Sequence, residues 1–426
     1  MKLRLAYGKR GLDVELPDHA LVLLPQHTPL LPDPEGAVRR ALEEPLASPP
    51  LRELVRAEDS VAIVVSDITR PVPNRILLPP VLEMLETAGV ARERMVIVIG
   101  TGMHRAAAPE ELEAMLGPDI PASYRVVSHD ARDRSTLSYL TATSRGVEVW
   151  LNRHYIDADV KVLTGFVEPH IFAGFSGGGK AILPGIAGAD LVMSNHGADM
   201  LSDPGATYCE ADGNPVFEEI REVALASRPT FCVNVSLNES KEITGVFAGD
   251  MALAHEAGMA QAARQALSLI PYLFDIVVGT NIGYPADINL YQSVKGMSVA
   301  ARAVREGGAI VLASECSEGL GRAEYVELLH SEGSPKSLLD KIHSPGFAVY
   351  DQWGVQCQVM VQQRADVYLC SSMSRETTES AHLHYCQDVG ETVERLRERH
   401  RAEHGGQEPT ICVLPYGHLT VPQLQA

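Results

Sequence analysis

Short apolar runs rich in β-branched residues recur along the chain, and each is followed by turn residues and then a helical pattern. The clearest run begins at Val61 (VAIVV) and leads through the amphipathic stretch ILLPPVLEMLETAG to MVIVIG, from Met95 to Gly100. A buried strand, a helix and a second buried strand in this order form a βαβ unit with parallel strands. The pattern therefore predicts an α/β fold with largely parallel sheets. Further strands are predicted at 125–130, 159–165, 230–238 and 274–279 and within GGAIVLASEC, ADVYLCSS and TICVLPYG.

The length of the chain, 426 residues, exceeds what one hydrophobic core usually supports. A fresh strand, FDIVVG, follows an alanine-rich helix and places a boundary near residue 270. We expect an N-terminal α/β domain over residues 1–268 and a C-terminal α/β domain over residues 272–426. Ligands of such sheets bind at the C-terminal ends of the strands.

Charge and cysteine usage exclude several classes of function. The formal net charge of −19 would repel a phosphate backbone, which argues against nucleic-acid binding. Seven scattered cysteines without CxxC spacing are typical of reduced thiols in a cytoplasmic protein. No run of about 18 apolar residues and no signal-peptide h-region is visible, so we expect a soluble protein that does not enter the membrane.

Polar residues follow the first two predicted strands. Asp67, Thr69 and Arg70 come directly after VAIVV, and His104 lies in GTGMHR after MVIVIG. Asp and Arg together can clamp a carboxylate or a phosphate, and His is a common acid or base near neutral pH. Each residue alone is more often a helix cap or a surface residue.

The densest motif is GFSGGGKAILPG, which fits the first seven positions of a P-loop between Gly174 and Lys180. Ala181 replaces the Ser or Thr that would bind magnesium. Gly177, Gly178 and Gly179 still indicate a backbone that approaches a ligand closely. A P-loop-like nucleotide-binding enzyme is therefore one alternative.

Three histidines suggest a second alternative. His170 and His196 flank the glycine motif and, with His104, could bind zinc in a hydrolase, although no pair has a local zinc-ligand spacing.

The second predicted domain contributes YQSVKG and DQWGVQ. Gln292 and Lys295 lie three positions apart and share one face if a helix begins there. Lys295 could hold an anionic substrate, whereas Trp353 by itself is more often a packing residue.

Taken together, the motifs resemble those of the nickel-pincer-nucleotide lactate racemase family. The resemblance covers nearly the whole chain, in the order SDITRP, GTGMHR, EPHIFAGFSGGGKAILPGIAG, SNHGAD, YQSVKG and QWGVQ. It implies two α/β domains that face each other across an active-site cleft.

The resemblance also implies roles for single residues. Lys180 would carry the nickel-pincer nucleotide, a pyridinium-3,5-bisthiocarboxylic acid mononucleotide, through a covalent bond, and His196 would be the protein ligand of nickel. His104 and His170 would be the acid/base pair, while the hydride at C2 of a 2-hydroxy acid moves to the cofactor and gives a 2-keto acid. Other cofactor or substrate contacts are implied for Asp67, Thr69, Arg70, Gly177, Gly178, Gly179, Tyr291, Gln292, Lys295 and Trp353.

The expected function is therefore racemisation or epimerisation of a 2-hydroxy acid, either lactate-like or larger. The resemblance implies a small-molecule substrate and cofactor-biosynthesis proteins that load the enzyme.

Overall fold

A computed structural model describes residues 1–425. They form two compact units. The first unit comprises residues 27–196 and 203–263, and the second comprises residues 1–26, 197–202 and the described residues from Arg264 onward.

Strands and helices alternate through much of both units. The strands are β1 (Lys2–Leu5), β2 (Leu12–Glu15), β3 (Leu21–Val22), β4 (Val61–Ser66), β5 (Met95–Gly100), β6 (Arg125–Ser128), β7 (Leu137–Ala142), β8 (Glu148–Asn152), β9 (Val160–Phe166), β10 (Pro169–His170), β11 (Gly174–Phe175), β12 (Phe231–Leu237), β13 (Ile243–Gly249), β14 (Leu267–Ile270), β15 (Phe274–Thr280), β16 (Val304–Ala313), β17 (Ala365–Cys370), β18 (His384–Cys386), β19 (Ile411–Leu414) and β20 (Val421–Leu424). The helices are α1 (Pro34–Glu43), α2 (Asn74–Thr87), α3 (Pro109–Leu116), α4 (Asp119–Ser123), α5 (Arg153–Ile156), α6 (Ala189–Asn195), α7 (Ala198–Ser202), α8 (Pro215–Ala226), α9 (Met251–Ala266), α10 (Leu290–Ala301), α11 (Ala323–Leu329), α12 (Pro335–Ile342), α13 (Gln352–Arg364), α14 (Arg375–Ser380) and α15 (Val389–Glu403).

The first unit is built on a six-stranded sheet in the order β13-β12-β9-β4-β5-β6. All neighbours are parallel except β13, which is an antiparallel edge strand. The chain builds outward from β4 to β5 and β6, then returns to β9 on the other side of β4. The strand order therefore reverses between β4 and β9, and ligands of doubly wound sheets bind at such a reversal.

The second unit has a six-stranded sheet in the order β18-β17-β16-β15-β19-β3, with every neighbouring pair parallel. Its strand order reverses between β15 and β19. Buried Val, Ile and Leu side chains cover both sheets, as parallel strands require. The predicted α/β fold in two units with largely parallel sheets is confirmed.

The first 26 residues lie in the second unit, which differs from the prediction of one domain over residues 1–268. The reason is that β3 pairs with β19 and that Leu5 packs in one core with Ile276, Val278 and Val413. Residues 197–202 also belong to the second unit, where α7 packs against α13.

Within residues 1–425, no helix is both long and apolar enough to cross a bilayer. All seven cysteines are free thiols.

The placement of the N-terminal segment generates a prediction. Leu5 is fully buried in the core of the second unit, so Leu5→Ala should lower the free energy of unfolding by about 2–5 kcal/mol. Leu24→Ala is the control, because Leu24 is 57% exposed and its loss should change stability by less than about 0.5 kcal/mol. Urea unfolding measures the stability of both variants. Equally small losses of stability would contradict the burial of Leu5 in the core of the second unit.

Candidate active site

Polar side chains gather at the carboxyl edge of the first sheet, where the strand order reverses. Asp67 follows β4, His104 follows β5, and His170 follows β9. Parallel strands bring these ends to one edge.

A hydrogen bond joins the first two of these residues. His104 Nδ1 donates to Asp67 Oδ2 over 2.7 Å, and the Thr69 hydroxyl donates to Asp67 Oδ1 over 2.6 Å. When the ring of His104 is neutral, the proton that Nδ1 shares with the carboxylate leaves the lone pair on Nε2. Oriented in this way, His104 can act as a base.

Burial would raise the pKa of Asp67, but the hydrogen bond and charge of His104 and the Thr69 hydroxyl outweigh it and lower the pKa. Asp67 is therefore ionised at neutral pH although it is buried. Arg70, whose guanidinium donates to the Thr69 carbonyl over 3.4 Å, adds a favourable positive charge.

Lys180 lies in a short 3₁₀ turn, Gly178–Ala181, that follows Gly177, whose φ of 82° favours glycine. Its Nζ is 3.5 Å from Nε2 of His170. The backbone N–H of Ala173 donates to His170 Nδ1 over 3.2 Å, which sets the orientation of the ring.

Phe172 connects this pair to His196. The rings of His170 and His196 both contact Phe172 edge-on, with centroid distances of 4.8 and 4.9 Å, and Lys180 Nζ lies 5.8 Å from the same ring. Burial, together with the charge of Lys180, lowers the pKa of His196 to about 3. His196 is therefore a neutral imidazole, the form that binds metals.

The loop that carries His104 packs on the segment after Lys180. Gly102 donates its N–H to the Gly185 carbonyl over 2.9 Å, and Gly185 donates to the Lys180 carbonyl over 3.2 Å. A Cβ on Gly100 would lie 3.3 Å from the same Gly185 carbonyl. The two groups of predicted site residues are thus joined through backbone.

Three side chains that sequence reasoning missed hold the glycine turn. Asn234 accepts the N–H of Gly178 over 3.3 Å, and His255 donates from Nε2 to the Ser176 carbonyl over 2.9 Å. The Ser176 hydroxyl donates to the Phe166 carbonyl over 3.1 Å. No motif marks Asn234 or His255, because each meets the turn only through tertiary packing.

The structure also bears on the two alternatives. The glycine motif begins with a two-residue strand, Gly174–Phe175, and continues into the 3₁₀ turn, whereas a P-loop connects a long strand to an α-helix. Among residues 1–425, no three or more His, Cys, Asp or Glu side chains form a group that could share a metal ion. The zinc alternative would need His104, His170 and His196 in such a group.

In the second unit, α10 carries three of the predicted residues. Lys295 Nζ donates to Gln292 Oε1 over 3.1 Å, so the two share one face as predicted. The Tyr291 hydroxyl donates to Asp351 over 2.9 Å and accepts from Trp353 Nε1 over 3.2 Å. Tyr291 therefore positions Trp353.

Asp351 is the centre of this second group, and the sequence did not single it out. It is fully buried, has a φ of 63° and accepts from Arg322 over 3.1 Å. Burial and the Asp351 carboxylate raise the pKa of Tyr291, so Tyr291 stays protonated.

One prediction concerns the glycine turn. Gly178 has a φ of 50°, and a Cβ there would lie 2.3 Å from the His255 ring. Gly178→Ala should lower the free energy of unfolding by about 1–3 kcal/mol more than Gly213→Ala does. Both glycines have a positive φ, but Gly213, with a φ of 73°, has open space around its Cβ position. Chemical unfolding compares the two variants, and equal losses would show that His255 does not pack as described.

A further prediction concerns pH. Because the native pKa of Asp67 lies below its unfolded value, ionised Asp67 stabilises the protein above about pH 4, and this contribution is lost as the pH falls through the native pKa. The stability difference between wild type and Asp67→Asn should therefore be largest near pH 7 and shrink on acidification. Urea unfolding at several pH values measures this stability difference. A difference that does not change with pH would contradict the stabilising role of ionised Asp67.

Comparison with known protein families gives two consecutive matches. Residues 7–208 match the lactate racemase N-terminal domain, and residues 271–421 match the lactate racemase C-terminal domain.

Characterised relatives carry the same name. The chain is 31% identical over 399 residues to a lactate racemase of Thermoanaerobacterium thermosaccharolyticum, covering 92% of this chain and 93% of that protein. It is 32% identical over 424 residues to a lactate racemase of Lactiplantibacillus plantarum, covering 97% of each.

Solved structures agree with these matches. The lactate racemase apoprotein from T. thermosaccharolyticum superposes with a TM-score of 0.93 at 30% identity, covering 99% of this chain and 100% of that one. A Thermotoga maritima protein, with a TM-score of 0.67 and 17% identity over 95% of this chain and 100% of that one, shares the fold.

Proposed function

This chain belongs to the lactate racemase family, and we propose that it inverts C2 of a 2-hydroxy acid by hydride transfer to a nickel-pincer nucleotide attached to Lys180. The observation that carries the proposal is the grouping at one sheet edge. Asp67-oriented His104 lies on a loop that is hydrogen-bonded to the Lys180 segment, and His170 lies beside the lysine itself.

The residues around Lys180 fit the proposed cofactor. Lys180 offers a primary amine at the end of a glycine turn in which Gly177 is half-buried. Gly178 and Gly179 are buried, because the positions of their absent side chains are occupied by His255 and by Ile220 and Ala224 of α8, so the predicted approach of a ligand to these two glycines is not seen. His196 offers a neutral imidazole, and nickel accepts imidazole ligands. When bound, the cofactor supplies a hydride acceptor, which no protein side chain can provide.

The protein supplies proton transfer. Nε2 of His104 takes the hydroxyl proton of the substrate while Asp67 stabilises the imidazolium that forms. His170 serves the opposite enantiomer through Nε2. For this atom to act as a base, the ring proton must reside on Nδ1, and the bond from Ala173 must be released.

Substrate binding is assigned to cationic and aromatic side chains. In the first unit, Arg70 would bind an anionic group. In the second unit, Lys295 would attract the carboxylate, Gln292 would orient it, and Tyr291 would hold the ring of Trp353 in place. Lactate is the first substrate to test, because the curated relatives are named lactate racemase. Larger 2-hydroxy acids, such as malate, aryl lactates and sugar acids, belong to the same proposal. We further propose a cytoplasmic enzyme that cofactor-biosynthesis proteins load.

The proposal predicts separate effects for the lysine and the histidines. After co-expression with the pincer-cofactor biosynthetic enzymes and nickel, the intact mass should show an adduct that Lys180→Ala abolishes. His104→Ala and His170→Ala should keep the adduct and lose about 10²- to 10⁴-fold in kcat, since each removes a proton-transfer group. Chiral chromatography of lactate measures the turnover.

The control is His27→Ala, because the side chain of His27 is 77% exposed in the same unit. It should retain both the adduct and activity. Full activity in both His104→Ala and His170→Ala would refute the acid/base roles, and an adduct that persists in Lys180→Ala would refute the attachment site.

A further inference from the structure

The second sheet has its own reversal of strand order, between β15 and β19. Asn281 follows β15, and a 3₁₀ turn, Gly417–Leu419, follows β19. His418 is the central residue of that turn. His418 therefore follows one of the two strands at this reversal, as His170 follows β9 at the reversal of the first sheet.

Close backbone packing holds the turn against the end of β15. The Thr280 hydroxyl donates to the Pro415 carbonyl over 3.0 Å. Gly417 has a φ of 50°, and a Cβ there would lie 2.5 Å from the Thr280 carbonyl oxygen, so glycine is required. The turn also packs against α10, which carries Gln292 and Lys295.

Four buried polar atoms in the segments that follow β15 and β19 have no hydrogen-bond partner within residues 1–425. They are Oδ1 of Asn281, Oδ1 of Asp287, Nδ1 of His418 and Oγ1 of Thr420. The Asn281 amide nitrogen donates to the carbonyls of Ala286 and Gln292, which identifies the remaining atom as the oxygen. Native proteins seldom leave such atoms unsatisfied, so Nδ1 of His418 and Oδ1 of Asn281 are candidate contacts for a bound molecule.

The electrostatics favour an anionic partner. Burial, followed by the positive charge of Lys295, lowers the pKa of His418 to about 3. His418 is therefore a neutral imidazole, which can donate from Nδ1 when the ring proton resides there, and Lys295 places a positive charge near it. A 2-hydroxy acid carries a carboxylate, which can accept from Nδ1 of His418, and a hydroxyl group, which can donate to Oδ1 of Asn281.

We propose that His418 is a further substrate-binding residue, which donates from Nδ1 to the carboxylate of the 2-hydroxy acid beside Lys295. This assignment rests on the proposed function for the class of substrate. The phosphate of a nucleotide has the same oxyanion chemistry, and the experiment separates the two sources.

The test uses three substitutions in the loaded enzyme. Asn places an N–H donor near the position of Nδ1, Gln places one near Nε2, and Phe offers none. His418→Gln and His418→Phe should raise KM for lactate by about 10- to 100-fold, as expected for loss of a hydrogen bond to a charged group, with kcat and the Lys180 adduct unchanged. His418→Asn should stay within about threefold of wild type, as should the control His384→Gln, whose side chain is 57% exposed.

The other outcomes are equally definite. A smaller adduct fraction with unchanged KM would assign His418 to the phosphate. Unchanged KM and adduct in His418→Phe would overturn the proposal, as would equal KM values for Asn, Gln and Phe with a lower melting temperature, which indicates a structural role.

A wild-type protein without adduct would instead refute the proposed function. His418 is then tested by isothermal titration of lactate into that same protein. Binding that is at least tenfold weaker in His418→Phe than in wild type supports the assignment, and equal binding or the lack of measurable binding to wild type overturns it.

Discussion

The parallel pairing of β4 with β5 on one side and β9 on the other determines where the proposed chemistry can occur. These strands are almost wholly buried, and ligands of such sheets bind beyond the carboxyl ends of the strands. Asp67, His104 and His170 all follow these ends. The second sheet repeats the arrangement, with Asn281 and His418 beyond β15 and β19. In each unit, the hydrogen bonds between parallel strands bring these polar residues to one edge of the sheet.

The position of Lys180 depends on the contacts that hold the glycine turn. The glycine turn that contains it has positive φ angles, which favour glycine, at Gly177 and Gly178. The N–H of Gly178 donates to Asn234, and the carbonyl of Lys180 accepts from Gly185. His255 supports the preceding strand end through the Ser176 carbonyl. Buried hydrogen bonds of this kind hold one conformation, because breaking any of them leaves an unsatisfied polar group. A rigid turn suits a lysine that must present its amine at one position.

The sequence predicted those elements whose signal is local. The run VAIVV and the run MVIVIG became β4 and β5, and the spacing of Gln292 and Lys295 placed them on one face of α10. The grouping of residues 1–26 with the second unit could not be predicted, because β3 has only two residues and is defined by its pairing with β19. For the same reason the sequence does not single out His255, Asp351 or His418, although Asp351 begins DQWGVQ, since their roles arise from contacts with distant segments. The P-loop-like motif shows the converse, because a local pattern occurs there without the long strand and the α-helix that a P-loop needs. The roles of the site residues in turnover stay predictions.

The central claim is that C2 exchanges a hydride and not a proton. The most direct measurement is racemisation of a single lactate enantiomer by the loaded enzyme in D₂O, with ¹H NMR of the C2 position of the product. A hydride that leaves and returns does not mix with solvent, so the inverted product should keep hydrogen at C2. Deuterium at C2 of the inverted product would show that a side chain removes C2–H as a proton, and would contradict this account.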